Sequence, residues 1–256
     1  PAVFSGNTAT NNGINGIVLN GAPSQGYTFK KDLPYVIEGR ATMNSGNTFT
    51  IDPGVIFKFK TTSSEIESRG TLSAVGTASD KIYFTSFNDD SVGGDTNNDG
   101  ICDPGNASST AACPGPGYWG SLYFTSTSAS SILDHVVVHY GASYCYGPCA
   151  AVHVSGSSID VKNAVIEKNR YPGMRLENSA STTVASTIIR DHRPIAGVGE
   201  VQGLVLVGSS VKLDGVTFSN NYLGISADGS SSVTIGPGGV IFDNNTASTS
   251  PANLIP

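Results

Sequence analysis

The sequence predicts an all-β chain wound as a parallel β-helix, with three short strands in each turn of about 22–30 residues and one long loop insertion. Three observations predict it. Apolar residues fall in short, β-branched runs separated by Gly, Ser or Asn, the mark of many brief strands. Only 13% of the 256 residues are charged and 31 are glycine, which suits tight turns and leaves little material for amphipathic helices. Four segments of the C-terminal half repeat one another.

Those segments read AAVHVSGSSIDVKNAVIEKN, GMRLENSASTTVASTIIRDH, GLVLVGSSVKLDGVTFSNN and GISADGSSSVTIGPGGVIFDNN. Each holds three apolar runs and closes on an apolar residue followed three positions later by Asn or Asp: Ile166/Asn169, Ile188/Asp191, Phe218/Asn221 and Phe242/Asn245. The polar members are spaced by 22, 30 and 24 residues. A single turn cannot bury its apolar face alone, so turns of this kind stack and share one core. Side chains alternate along a strand, which sends Val152 and Val154 inward and His153 outward. The recurring Asn or Asp suits a corner, where such residues tolerate the left-handed conformation and stacked copies can form a hydrogen-bonded ladder.

The first half continues the pattern with longer excursions. NTFTIDPGVIFKFK, SRGTLSAVGTASDKIYFTS and GYWGSLYFTS supply strands, and between the last two lies an insertion at about residues 87–117, rich in Asp, Asn, Gly and Pro. Insertions of solenoids emerge on one flank and tend to carry the specific feature. The whole chain, residues 1–256, reads as one domain.

The stretches TFTIDPGVIFKFK, GTLSAVGTASDKIYFTS, GDTNNDG, GYWGSLYF and LDHVVVHYG resemble a group of bacterial secreted β-helix repeat proteins found at cell surfaces. The resemblance covers roughly residues 36–245 and implies a right-handed parallel β-helix and secretion. It implies little about function beyond surface association. Family members of this pattern are usually much longer, so this chain is expected to be a module or a subunit, and its start at Pro1 fits a processed or excised product.

Composition excludes some classes. A net charge of −6 disfavours nucleic acid, which requires a basic face. No stretch approaches the ~18 apolar residues of a membrane span. The four cysteines form two local pairs without zinc-knuckle spacing, and we read them as loop disulfides Cys102–Cys113 and Cys145–Cys149 in an oxidising compartment, with two other connectivities compatible with the spacing.

The sharpest chemical signal is DTNNDGICD. Asp95, Asn97 and Asp99 alternate and are followed by Gly100, the first half of a calcium loop of the D-x-[DN]-x-[DN]-G type. The carbonyl of Ile101 and the side chain of Asp103 fall at the next ligand positions. The bidentate Glu expected at the twelfth position is replaced by Asn106, and Asp89 or Asp90 could supply the missing carboxylate. Calcium ordering the insertion is therefore the expectation, against the plainer reading of a solvated acidic loop.

An enzyme reading needs its own chemistry. Glycoside hydrolysis uses two carboxylates about 5–9.5 Å apart. The outward positions of successive first strands, His153, Arg175, Val205 and Ser226, offer none, and Asp160 and Asp214 lie two turns apart. His135 and His139 are too far apart along a strand to share a metal. Asp191, His192 and Arg193 read as a corner, and Trp119 as a cover where the insertion rejoins the core. A Thr-x-Thr ice-binding face begins at Thr48 and Thr50 but is not repeated in the later turns. Neither terminal segment reads as a cap, so each end offers an unfinished turn. The sequence thus predicts a non-enzymatic structural or adhesive protein that stacks end to end with copies or tandem modules. Cell-surface glycans are a further expected partner, and a carbohydrate-active β-helix is the rival.

Overall fold

The computed structural model describes residues 5–102, 111–128, 130–143, 149–179, 181–192, 201–250 and 254. Within them lie twenty-five short strands, and no helix is long and apolar enough to cross a membrane. The strands form three sheets, and every neighbouring pair is parallel. Sheet I holds eight strands from Arg40–Met43 to Ala247–Ser250, and sheet II holds eight from Tyr27–Phe29 to Ser232–Ile235. Sheet III holds nine, from Ile17–Leu19 to Val240–Asp243. The chain visits I, II and III in that order and then starts the next turn, as the three runs of each repeat predict.

Register follows the alternation of the sequence. Met174, Leu204 and Ile225 stack inward on sheet I, while His153, Arg175, Val205 and Ser226 stack on its outer side as expected. Because one face of each sheet is buried, a slip of one residue would turn a whole strand inside out, so the pattern fixes the pairing. In the first turns the interior is aromatic. Phe57 stacks between Tyr35 and Phe84 at centroid distances of 5.5 and 5.6 Å and meets the ring of Phe29 edge-on at 5.1 Å. The middle turns place Val138, Ile166 and Ile189 in the same column, and the last turns return to stacked rings, Phe218 and Phe242 at 5.5 Å.

The corner between sheets III and I holds the recurring polar residues, with one correction. Asn169, Asn221 and Asn245 line an internal ladder, but Asp191 does not. The ladder member of that turn is His192, and Asp191 instead takes the left-handed position also filled by Lys168, Asn220 and Asn244. His192 is fully buried. Its Nε2 contacts Asn169 Nδ2 at 3.1 Å, its Nδ1 contacts Asn221 Oδ1 at 2.9 Å, and its amide donates to the same oxygen. The turn that closes on His192 puts the polar pair one residue later than the spacing of apolar residues suggests, which is why Asp191 was the expected member.

Burial pushes the His192 imidazole down from 6.5 to about 4, against weaker opposing effects of Asn221, Asp191 and Glu167. Between those values the unfolded chain takes up a proton that the folded chain refuses, so stability is full above pH 6.5 and falls as pH drops toward 4. The loss amounts to about 3 kcal/mol over that window. Urea melts from pH 4 to 7 should show the slope, and His192→Asn should flatten it by restoring the residue found in the neighbouring turns.

Candidate functional site

The insertion occupies residues 87–121, between strands Ile82–Ser86 and Leu122–Phe124, slightly longer than the expected 87–117. It folds back over the outer face of sheet III at the first turns. Asn15 donates from its amide to Thr96 O at 2.8 Å and from its side chain to Asp95 O at 3.0 Å, and Lys58 Nζ donates to Gly94 O at 2.7 Å. Gly93, at φ 71°, lies so close to sheet III that a Cβ would sit 2.7 Å from Pro34 Cγ, which only glycine permits. Lys58 is thereby an outward strand residue that is fully buried. Burial lowers its pKa to about 8, opposed by the charges of Asp89, Asp90 and Asp95.

The calcium-type loop has the turn its sequence predicts, with Gly100 at φ 97°. Asp95 accepts from the amides of Asp99 and Gly100 at 3.2 and 3.0 Å, Asp99 accepts from Ala112 N, and Asp90 accepts from Cys102 N at 2.9 Å. Asn97 donates to Asn88 Oδ1. Two oxygens are left over: among the described residues, Asp90 Oδ1 and Asn97 Oδ1 are buried without a hydrogen-bond partner. Burial, reinforced by the charges of Asp95 and Asp99, raises the Asp90 carboxyl above its ordinary value despite the Cys102 amide and Lys58. Among the described residues, no three His, Cys, Asp or Glu side chains converge to hold a metal by themselves. A cation here would draw on Asn97 and carbonyl oxygens as well. Ile101 is exposed, and Asp103 lies outside the described residues.

Cys102 and Cys113 form the expected disulfide, with Cα atoms 5.0 Å apart, which closes the loop at its base. Cys149 is disulfide-bonded as well, and Cys145 lies outside the described residues.

Asp89 does not face this loop. It is buried on the other side, where Thr85, Ser91 and His139 surround it, and its Oδ2 lies 3.1 Å from His139 Nε2. Burial alone would raise its pKa, but the close His139 imidazole and the hydrogen bonds from Ser91 and Thr85 hold it well below the carboxylate range. The other imidazole nitrogen, His139 Nδ1, is 3.9 Å from Glu167 Oε1, and Glu167 is gripped by Arg190 through Nε and Nη2 at 2.7 and 2.6 Å. Tyr140 stacks on His139 at 4.5 Å, and Trp119, fully buried as expected, donates to His139 O while stacking on Phe59 at 4.1 Å.

This Asp89–His139–Glu167–Arg190 cluster was missed in the sequence, where His139 was weighed only against His135. The signal was available, since His139, Glu167 and Arg190 end successive third strands and pair in register. His135 is at a left-handed corner, with Nδ1 2.8 Å from Asp134. On the outer side of sheet I, Glu177 is held by His153 and Arg175, and Glu67 by Arg69. Asp160 pairs with Lys162, and Asp214 accepts from Gly238 N. Arg193 lies outside the described residues.

Residues 125–251 match the family model described as a right handed beta helix region. The fold is a right-handed parallel β-helix. No curated protein and no solved structure matches the chain. The matched span begins just after strand Leu122–Phe124, so it contains the regular turns of the β-helix, while the insertion lies in the turns before it.

Proposed function

We propose that this β-helix is a non-enzymatic, secreted scaffold at a cell surface, stacking end to end on a second copy or a tandem module of a fibre or adhesin. The observation that carries the reading is the condition of the two end turns. Ile17, Leu19 and Tyr27 at one end, and Val233, Ile235, Val240 and Phe242 at the other, belong to the core columns yet stay half-buried. A neighbouring stack of turns, in a second copy or in further turns of a longer chain, would cover these side chains and pair the outermost strands of each sheet. The disulfides support an oxidising compartment.

The carbohydrate-active rival is weakened by the cluster on sheet III. Its two carboxylates, Asp89 and Glu167, have the His139 imidazole standing between them, in the space a scissile bond would need. The other outward carboxylates described above are held by bases or backbone amides.

Sedimentation at rising concentration tests the assembly. The wild-type chain should associate, and Phe242→Asp, which places a charge on the open end, should remain monomeric. A wild-type chain that is monomeric at every accessible concentration overturns the reading.

Calcium ordering of the insertion is part of the same proposal, supported by the two unpartnered oxygens on Asp90 and Asn97 and by the turn at Gly100. Calcium at 100 times its dissociation constant should stabilise the fold by about 2.7 kcal/mol, read as a rise in Tm reversed by chelator. Asp90→Asn should reduce that rise. An unchanged Tm at millimolar calcium would remove the metal from the account.

A further inference from the structure

We propose that His139 is a proton-gated clasp: as an imidazolium it holds the first root of the insertion closed over sheet III, and loss of its proton lets that root open. Both roots of the insertion converge on this residue. Asp89, just past strand Ile82–Ser86, places Oδ2 3.1 Å from His139 Nε2, and Trp119, just before strand Leu122–Phe124, donates its indole N–H to His139 O at 2.8 Å. The second root is also sewn down through its backbone. Gly117 and Tyr118 donate their amides to Gly141 O and Tyr140 O, and Ala142 and Ser143 donate back to Gly120 O and Trp119 O. The first root has less. Beyond Phe87, whose amide donates to Phe59 O, it reaches sheet III through the Asp89 side chain and then through Gly94 O on Lys58.

The contact between Asp89 and His139 is one of charge. Their side chains are only 2% and 7% exposed, and among the described residues neither imidazole nitrogen has a hydrogen-bond partner. What faces the ring is carboxylate: Asp89 Oδ2 beside Nε2, and Glu167 Oε1 3.9 Å from Nδ1. An imidazolium suits both sides. A neutral imidazole has a single N–H, so one of its nitrogens turns a lone pair on a buried carboxylate.

The other groups around the ring decide which side gives way. Glu167 has two further cations, Arg190 at 2.6 Å and Lys168 at 3.9 Å, and stays paired whatever the state of His139. Asp89 has no other cation within ion-pair distance among the described residues, and it stays ionised throughout the neutral range. The rings of Tyr83 and Tyr140 lie 6.3 and 4.5 Å from the imidazole. Burial, reinforced by the charges of Asp89 and Glu167, pushes the Tyr140 phenol up, which keeps it neutral. The closed root thus has its full ionic contact at low pH and loses it as pH rises through the range in which an imidazole discharges. Asp89 points away from the calcium-type loop, so the clasp works without a metal.

The test is hydrogen exchange of the intact chain, read by mass spectrometry in the presence of chelator at pH 5.5 and pH 8.5 and corrected for the intrinsic rates. Residues 88–96 should be at least tenfold less protected at pH 8.5 than at pH 5.5. Residues 202–243 of the same sample, remote from the insertion, should change less than twofold. His139→Gln removes the titrating group and should leave residues 88–96 poorly protected at both pH values. Asp89→Asn, on the other side of the contact, should flatten the pH dependence in the same way. Lys58, whose pKa burial lowers to about 8, is intact in both variants, so a pH dependence that belonged to Lys58 would survive in them. Equal protection of the wild-type insertion at the two pH values, or a tenfold loss retained in either variant, overturns the proposal. Neither result bears on sedimentation, so the scaffold reading stands or falls separately.

Discussion

Phe57→Ala is expected to lower the stability of the N-terminal turns by about 3–5 kcal/mol, the range for truncating a buried aromatic. Phe57 is fully buried, and three rings touch it: Phe29 edge-on, and Tyr35 and Phe84 face to face from the turns before and after. Those neighbours cannot collapse into the space. Tyr35 and Phe84 sit on strands paired on both sides in sheet III, Phe29 sits on the first strand of sheet II, paired on one side, and the rung spacing is fixed by backbone hydrogen bonds. The void would therefore persist. Because each turn of a solenoid contacts mainly its neighbours, the loss should be local. Hydrogen exchange should show the turns between residues 27 and 86 opening first, with residues 202–243 little changed. Phe242→Ala, at a half-covered position of the last turns, serves as the control and should cost far less.

The second large effect falls on the ladder. Asn221→Ala is expected to destabilise the C-terminal turns by about 3 kcal/mol or more, because it strands several buried groups at once. Asn221 is fully buried, accepts from the amide of His192, contacts its Nδ1, and donates to Ile189 O at 3.0 Å. Alanine removes the side-chain partner of the His192 amide and Nδ1 and the extra bond to Ile189 O, and leaving a buried polar group unpaired costs more than the bond itself contributes. The check is a pair of urea melts on Asn221→Ala and on Asn244→Ala. Asn244 is an exposed member of the adjacent left-handed column, and its loss should be much milder.

The two variants also mark how far the sequence could be read. Strand order, parallel pairing and the in–out alternation at Val152, His153 and Val154 follow from the repeat, because apolar runs of period two leave only one side able to face a core. The ladder was legible as a recurring polar residue. Its member His192 was not, since the spacing rule counted from Ile188, while the inward residue of that strand is Ile189. The turn at Gly100 and the Cys102–Cys113 disulfide were readable because both depend on residues near in sequence. The placement of Asp89 was not, because its partner His139 lies fifty residues away and only the path of the insertion brings them together.

The central claim is that this β-helix continues end to end into its neighbours, and electron microscopy of the purified chain at high concentration tests it most directly. The account predicts filaments whose axial repeat equals one chain's stack of turns, about nine rungs of sheet III at ~4.8 Å each. Phe242→Asp should abolish them. Uniformly dispersed single particles under all conditions would contradict the claim.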